Sequence, residues 1–424
     1  MTILLIVFFG LLFLSVPVFV ALGGASLVYT HFIGHIPDFV VLHRMAGGVD
    51  SFPLIAVPFF ILAGNLMNSA GITNRIFNFA TAAVGWLRGG LGHVNVLASV
   101  IFAGMSGAAV ADAGGLGTIE IKAMRDHGYD DQMAVGITAA SSTIGPIIPP
   151  SLPMVIFGVM ANVSIGQLFA AGFIPGLMMA LALMIYVTWY SRRKGMGRDQ
   201  AFSVTRLGTT FIAALPALLT PVIIIGGIAT GAFTPTEAAI AACAWALMLG
   251  FIFYRTLTLR RFYSISIQTI ETTASVLIIV AGASLFGWIL TVTQVTATVT
   301  AFLLGVTENP LLLLLIINVI ILIVGCFMET IAAISILVPV LMPAVLHVGI
   351  DPVQFGVVMV LNLMIGLLTP PVGMVLFVLA QVSNLSLDKT IRAVAPFLVP
   401  LFIVLFLISA IPSLTLYLPT LWYR

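Results

Sequence analysis

The chain has 424 residues, 61% of them hydrophobic and only 7% charged, with a formal net charge of +2. A soluble domain of this size carries about 25% charged residues, so a water-soluble enzyme or carrier is excluded, and a polytopic all-α membrane protein is expected. No basic patch with interleaved aromatics suggests nucleic acid, and no GxxxxGK(S/T) loop is present to draw on ATP.

Thr2 to Thr30 reads as the first span. It lacks a basic start and is too long for a cleavable signal. His31 to Asp50 reads as a polar, aromatic loop, and Pro53 to Met67 as a shorter second span ending in AGNLM. Ile72 to Leu87 is amphipathic and suits a helix on the membrane surface. Val94 to Lys122, rich in Gly and Ala, reads as a re-entrant hairpin with Ser106 and Asp112 near its centre. Lys122, Arg125, Asp126, His127, Asp130 and Asp131 form its polar base. A broken helix follows, then a span from Ile165 to Trp189. The densest basic cluster, Arg192, Arg193, Lys194, Arg198 and Arg206, is placed in the cytoplasm. Phe211 to Thr230, Thr236 to Tyr254 and Thr272 to Val292 are spans, and Thr293 to Thr307 is a surface stretch. Leu311 to His347 is a second hairpin interrupted at Gly325 to Thr330. Val357 to Gln381 is a second broken helix, and Phe397 to Leu418 is the last span. Cys243 and Cys326 lie in apolar segments and read as packing residues.

The two broken helices are the sharpest signal. In AASSTIGPIIPPSLPMVIFG, Pro146, Pro149, Pro150 and Pro153 each lack an N–H and clash with the preceding turn. A helix entering from about Ala134 is predicted to unwind between Gly145 and Pro150. In lipid, freed backbone groups are tolerated only where they line a protein cavity. The second copy reads LNLMIGLLTPPVGMVLFV. Gly145 and Gly366, Pro149 and Pro370, Pro150 and Pro371, and Gly104 and Gly325 all stand 221 residues apart. Two halves therefore repeat a hairpin, a polar turn, a broken helix and a span. Nine crossings put the two hairpin bases on opposite faces, which makes the repeat inverted.

Isolated Pro residues merely kink spans, but paired Pro–Pro breaks at one register point to an ion or substrate site. Ser141, Ser142 and Thr143 supply hydroxyls at the first break, and Thr369 alone at the second. Carbonyls and hydroxyls suit a hard cation without burying net negative charge. No His lies mid-span to carry protons, so Na+ outranks H+ as the coupling ion. Asp112 either pairs with a cation or hydroxyl or fixes its hairpin, and Glu329 is the matching carboxylate at the second tip. Gly104-Met105-Ser106-Gly107 fits the GxSG of intramembrane serine proteases, but no mid-span His serves as base.

FFILAGNLM, SGAAVADAGGLG, ASSTIGPIIPPSLPMVIFG, GCFMETIAAISILVP and GLLTPPVGMVLFV together resemble the large membrane subunit of tripartite ATP-independent periplasmic (TRAP) transporters. The likeness covers nearly the whole chain. One departure is Glu329-Thr330-Ile331-Ala332, where the family often has Asp-Thr followed by Thr-Pro-Ala; a carboxylate is kept, one methylene longer. The resemblance implies an elevator-type ion-transporter-like fold. Residues 1–90 would be scaffold helices and a surface arm, 91–163 the first transport-domain hairpin and broken helix, and 164–308 scaffold helices with the basic linker. Residues 309–385 would be the second hairpin and broken helix, and 386–424 the C-terminal span. It implies Na+ sites around Ser106, Gly107, Ser141, Ser142, Thr143, Gly145 and Pro149, and around Gly325, Gly366 and Thr369. Asp112, Pro150, Met328, Glu329, Thr330 and Pro370 would serve substrate or coupling. It implies two partners, a small four-helix membrane subunit and a periplasmic substrate-binding protein. The cargo would be an organic acid, sialic acid or a C4-dicarboxylate, crossing the bacterial inner membrane. A binding-protein-independent di- or tricarboxylate carrier and a hydrolase using Ser106 are the alternatives.

Overall fold

The computed structural model describes residues 2–14, 16–69 and 71–423, with only the backbone described at Thr2 and Ser106. Every regular element among them is a helix. Among the described residues, eight helices are long and apolar enough to cross a membrane.

The first expected span is two helices, α1 (Thr2–Phe13) and α2 (Val18–Phe32). Pro17 separates them, because it lacks the N–H and clashes with the turn before it. At about 1.5 Å per residue, the 12 residues of α1 fall well short of the ~30 Å hydrocarbon layer. The expected loop contains α3 (Asp38–Val49). It docks on α14 (Leu259–Val292): Ser284 Oγ donates to Arg44 O at 3.3 Å, and Arg44 lies over Trp288. Then come α4 (Ala56–Ser69), preceded by a 3-10 turn at Phe52–Ile55, and the amphipathic α5 (Ile72–Val84).

The first hairpin is α6 (Gly90–Ser106), α7 (Ala109–Gly114) and α8 (Leu116–Asp126). One carboxylate shows that the chain returns to its starting level. Asp199 Oδ2 accepts from Leu91 N–H at 2.8 Å and from the Tyr129 hydroxyl at 2.6 Å, so the start of α6 and the turn that follows α8 meet there. Asp130 then caps α9 (Asp131–Ser142), and α10 (Leu152–Ala161) resumes after the break. Three of the spans that follow are longer than expected, α11 (Ile165–Arg193), α12 (Val204–Ala229) and the 34-residue α14, whereas α13 (Pro235–Met248) is shorter and passes into a π-helical turn at Leu249–Phe253. Side-chain caps extend two of them, Ser203 on α12 and Thr258 on α14. The surface stretch is α15 (Val295–Val306).

The second half contains α16 (Pro310–Phe327), α17 (Thr330–His347), α18 (Pro352–Gly366) and α19 (Met374–Ser383). The final span divides at Pro412 into α20 (Leu387–Ala410) and α21 (Ser413–Trp422). Local devices recur at the spacing read from sequence or within one residue of it. Asp130 caps α9, and Asp351 caps α18. Asn162 (φ 54°) ends α10 and Asn384 (φ 55°) ends α19 in left-handed geometry. Pro149-Pro150 and Pro370-Pro371 are both cis.

The two halves interlock. α10 packs on α17, and α19 packs on α7 and α8, so each broken helix restarts against the other half's hairpin. Phe157 of α10 meets Phe355 of α18 with ring centroids 6.1 Å apart. Buried amides tie hairpin to broken helix within each half. Asn95 Nδ2 donates to Thr138 Oγ1 at 2.7 Å, and Ser141 Oγ donates to Asn95 Oδ1 at 2.6 Å. In the second half Asn362 Nδ2 donates to the Asn318 carbonyl at 2.8 Å and to its Oδ1 at 3.0 Å. Ser141 and Asn362 stand 221 residues apart.

Candidate functional site

The helix breaks where the prolines predict, with α9 ending at Ser142 and α10 resuming at Leu152, and the break is built of turns. Thr143 N–H donates to Ala140 O, Ile144 N–H to Ser141 O, and Ile147 and Ile148 N–H to Ile144 O. The chain tightens into short turns through Gly145 rather than opening there. It then reaches the cis Pro149-Pro150 peptide. Ser151 closes the gap: its hydroxyl donates to Pro146 O and accepts from Met154 N–H, which caps α10. Everything from Ser141 to Ser151 is buried.

Several oxygens remain to be answered. Among the described residues, no hydrogen bond reaches the carbonyls of Ser142, Thr143 or Gly145. The Ser142 and Thr143 hydroxyls donate to Ala139 O (2.8 Å) and Ala140 O (2.6 Å), which leaves each oxygen a lone pair. The Ser141 hydroxyl is engaged with Asn95 and with Thr138 O. Asp112 is 2% exposed, and its carboxylate fills the space that a Cβ on Gly145 would need. The hairpin tip touches the same break: Gly107 has φ +62°, and a Cβ there would lie 2.6 Å from Pro150 O. Gly107, Asp112, Gly145 and Pro150 are thus brought together. The side chain of Ser106 lies outside the described residues. This donor set is all oxygen and fits a hard cation such as Na+. Among the described residues no three His, Cys, Asp or Glu gather.

The second break forms a separate cluster. Gly366 abuts Gly325 so closely that a Cβ on Gly366 would lie 2.7 Å from Gly325 C and 2.8 Å from its Cα. Gly373 N–H donates to Cys326 O at 3.2 Å, pinning the tip of the second hairpin to the break. The Thr369 hydroxyl donates to Ile365 O at 2.8 Å. Glu329 caps α17, with Oε2 accepting from Ile331 N–H (2.9 Å) and Ala332 N–H (3.2 Å), so this carboxylate orders the tip. Met328 and Thr330 beside it are buried, whereas Pro370 is exposed.

A cavity of about 220 Å³ opens where the first cluster meets α4 and α14. Met105, Gly107, Ala108, Pro150 and Leu152 form one wall, and Gly64, Asn65, Asn68, Gln268 and Thr272 form the other. Asn65 is held in place by its Nδ2, which donates to Thr269 Oγ1 at 3.1 Å. Glu329, Thr369 and Pro370 do not line it. Sequence reasoning missed Asn65, Asn68, Gln268 and Thr272, although amides within apolar spans are costly enough to stand out. It also missed Glu120, which is 2% exposed on α8 and, among the described residues, has no hydrogen-bond partner for Oε1.

A chain of apolar helices, folded around two proline-broken helices with an oxygen-lined break and a polar cavity, is a multi-pass membrane protein of transporter type. Residues 5–414 match the family described as "Tripartite ATP-independent periplasmic transporter, DctM component", and the chain belongs to that family of large TRAP permeases. It is 50% identical over 413 residues to the sialic acid TRAP transporter large permease protein SiaM of Vibrio cholerae, covering 97% of each chain. It is 44% identical to the sialic acid TRAP transporter permease protein SiaT of Haemophilus influenzae, over 98% of this chain and 68% of that one. The fold is similar to that of the Alcanivorax borkumensis YdaH transporter, with a TM-score of 0.60 at 14% identity over 87% of this chain and 86% of the other.

Proposed function

We propose that the chain imports an organic acid anion across the bacterial inner membrane, with sialic acid favoured and a C4-dicarboxylate next. The observation that carries this reading is the 50% identity to a sialic acid permease across 97% of both chains. Import is coupled to Na+, which enters the oxygen set at the first break. Ser142, Thr143 and Gly145 would present their oxygens, and Asp112 would supply the balancing charge. A second ion would sit where Gly325, Gly366 and Thr369 meet.

The substrate enters the cavity between Gly107 and Pro150 on one side and Asn65, Asn68 and Gln268 on the other. Among the described residues no Lys or Arg lines that cavity. Amides and hydroxyls therefore recognise the anion's polar groups, and part of its charge is balanced by the ion at the neighbouring break. The repeat is inverted, with re-entrant hairpins. Hairpins and broken helices move together as an elevator, because buried Asn clasps and interlocked packing bind them into one unit. A periplasmic binding protein delivers the substrate, and a small four-helix membrane subunit widens the scaffold.

The hydrolase alternative has no geometric support. The buried His93 stands 13 residues before Ser106 on the same helix, about 20 Å away at 1.5 Å per residue, and its Nε2 is paired with Thr188. Reconstitution with candidate partner subunits under an imposed Na+ gradient tests the proposal. Uptake of sialic acid should require both the gradient and the binding protein. Uptake indifferent to both would refute it and favour the independent carrier.

A further inference from the structure

Near the C-terminal end of α11 lies a second pocket, of about 320 Å³, that the transport reading does not use. Arg88, Arg192 and Arg198 line it together. They come from three segments: the α5–α6 turn, the last turn of α11 and the linker beyond it. Backbone pairing holds two of them side by side. Arg88 and Arg198 form an antiparallel bridge, and Gly89 N–H donates to Gly197 O at 3.0 Å. Among the described residues none of the three lies within ion-pair distance of a carboxylate. The neighbouring Asp199 is committed to Leu91 N–H and the Tyr129 hydroxyl. Guanidiniums gathered without a counter-ion repel one another. The group that matches them is a phosphate, which arginine forks bind bidentately.

The surroundings say where that phosphate comes from. Leu177, Leu181 and Ile185 of α11 are 44%, 60% and 61% exposed. At four-residue spacing they form one apolar stripe, which runs into Thr188 and Arg192 of the pocket. Trp86 at the rim and Phe202 beside it pack edge to face with centroids 5.8 Å apart, and Trp189 is half exposed. Aromatics of this kind gather at the level of lipid headgroups. A basic pocket between membrane helices, reached by an apolar stripe, has the form of a headgroup site.

We propose that this pocket seats the phosphate of an anionic phospholipid, with an acyl chain lying along Leu177, Leu181 and Ile185. Bound there, the lipid clamps the linker to the α5–α6 turn and to α11 at the base of the first hairpin.

The test is lipid retention by the full chain. Delipidated protein is incubated in mixed micelles of phosphatidylglycerol and phosphatidylcholine, and retained lipid is read by native mass spectrometry. Wild type should hold phosphatidylglycerol over phosphatidylcholine. Each arginine removed should weaken retention about fivefold, so that Arg88→Gln with Arg198→Gln loses about 25-fold. Arg260→Gln with Arg261→Gln should change nothing. Arg192→Gln alone provides a variant outside the backbone bridge, so a folding defect in the double variant does not obscure the result. Inorganic phosphate is the competing source. If millimolar phosphate displaces the lipid and the stripe variant Leu181→Asn retains it normally, the site reads free phosphate and the proposal falls. Equal retention of the two lipids, or undiminished retention in both the double variant and Arg192→Gln, also overturns it.

Discussion

Gly366→Ala probes the contact on which the second cluster depends. The added methyl would lie 2.7 Å from Gly325 C, 2.8 Å from its Cα and 3.0 Å from its O. Carbon pairs attract at about 3.5–4.0 Å, so the methyl is about 0.8 Å too close to backbone atoms that have no rotamer to change. The hairpin tip must move by about that distance. Overpacking of this kind costs about 1–3 kcal/mol. The same movement stretches the Gly373 N–H to Cys326 O bond, already 3.2 Å, beyond useful length and removes roughly 1 kcal/mol more. The expected result is a melting temperature several degrees lower in detergent, together with a loss of Na+-induced stabilisation. Gly226→Ala is the control, since nothing lies within 4 Å of a Cβ there, and it should be neutral or slightly stabilising. A Gly366→Ala protein that melts within about 1 °C of wild type, with its Na+ response intact, would refute this account of the hairpin contact.

Gly107→Ala should be worse than Gly128→Ala. Both have positive φ, at +62° and +79°, but only Gly107 faces an atom, Pro150 O at 2.6 Å, whereas Gly128 opens to free space; parallel melts and uptake rates decide the order. Asn362→Leu should cost about 1–3 kcal/mol, because it leaves buried Asn318 without its two donated bonds; a chemical or thermal melt reads the loss. Asn65→Ala and Gln268→Ala should raise the apparent KM for uptake by up to about tenfold, the equivalent of one lost hydrogen bond. Their melts should stay near wild type, and an unchanged KM in both would remove the cavity from the transport path.

Much of this protein was legible without coordinates. Its low charge and long apolar runs required lipid as solvent, because no soluble core of this size omits a charged surface. Proline placed the two breaks within a few residues, since a missing N–H and a ring clash act locally. A spacing of 221 residues, or one more, relates matching caps and turns in the two halves, because Asp130, Asp351, Asn162 and Asn384 do their work within one turn of their own position. Pro17 carried the same local signal, but the apolar run around it masked the division into α1 and α2. Partnership was beyond the reach of sequence. Three hydroxyls at the first break looked equivalent as ion ligands, yet tertiary packing commits Ser141 to Asn95, 46 residues away. Asp112 gains its meaning from Gly145, and Glu329 turns inward to cap its own helix. The lining of the cavity by Asn65, Asn68 and Gln268 depends on α4 packing against α6 and α14 packing against α4, contacts between residues far apart in the chain. Composition and local backbone chemistry decided that the chain lives in a membrane and where its helices break. Only the tertiary structure decided which oxygens face one another across those breaks, because that depends on long-range packing that no local pattern encodes.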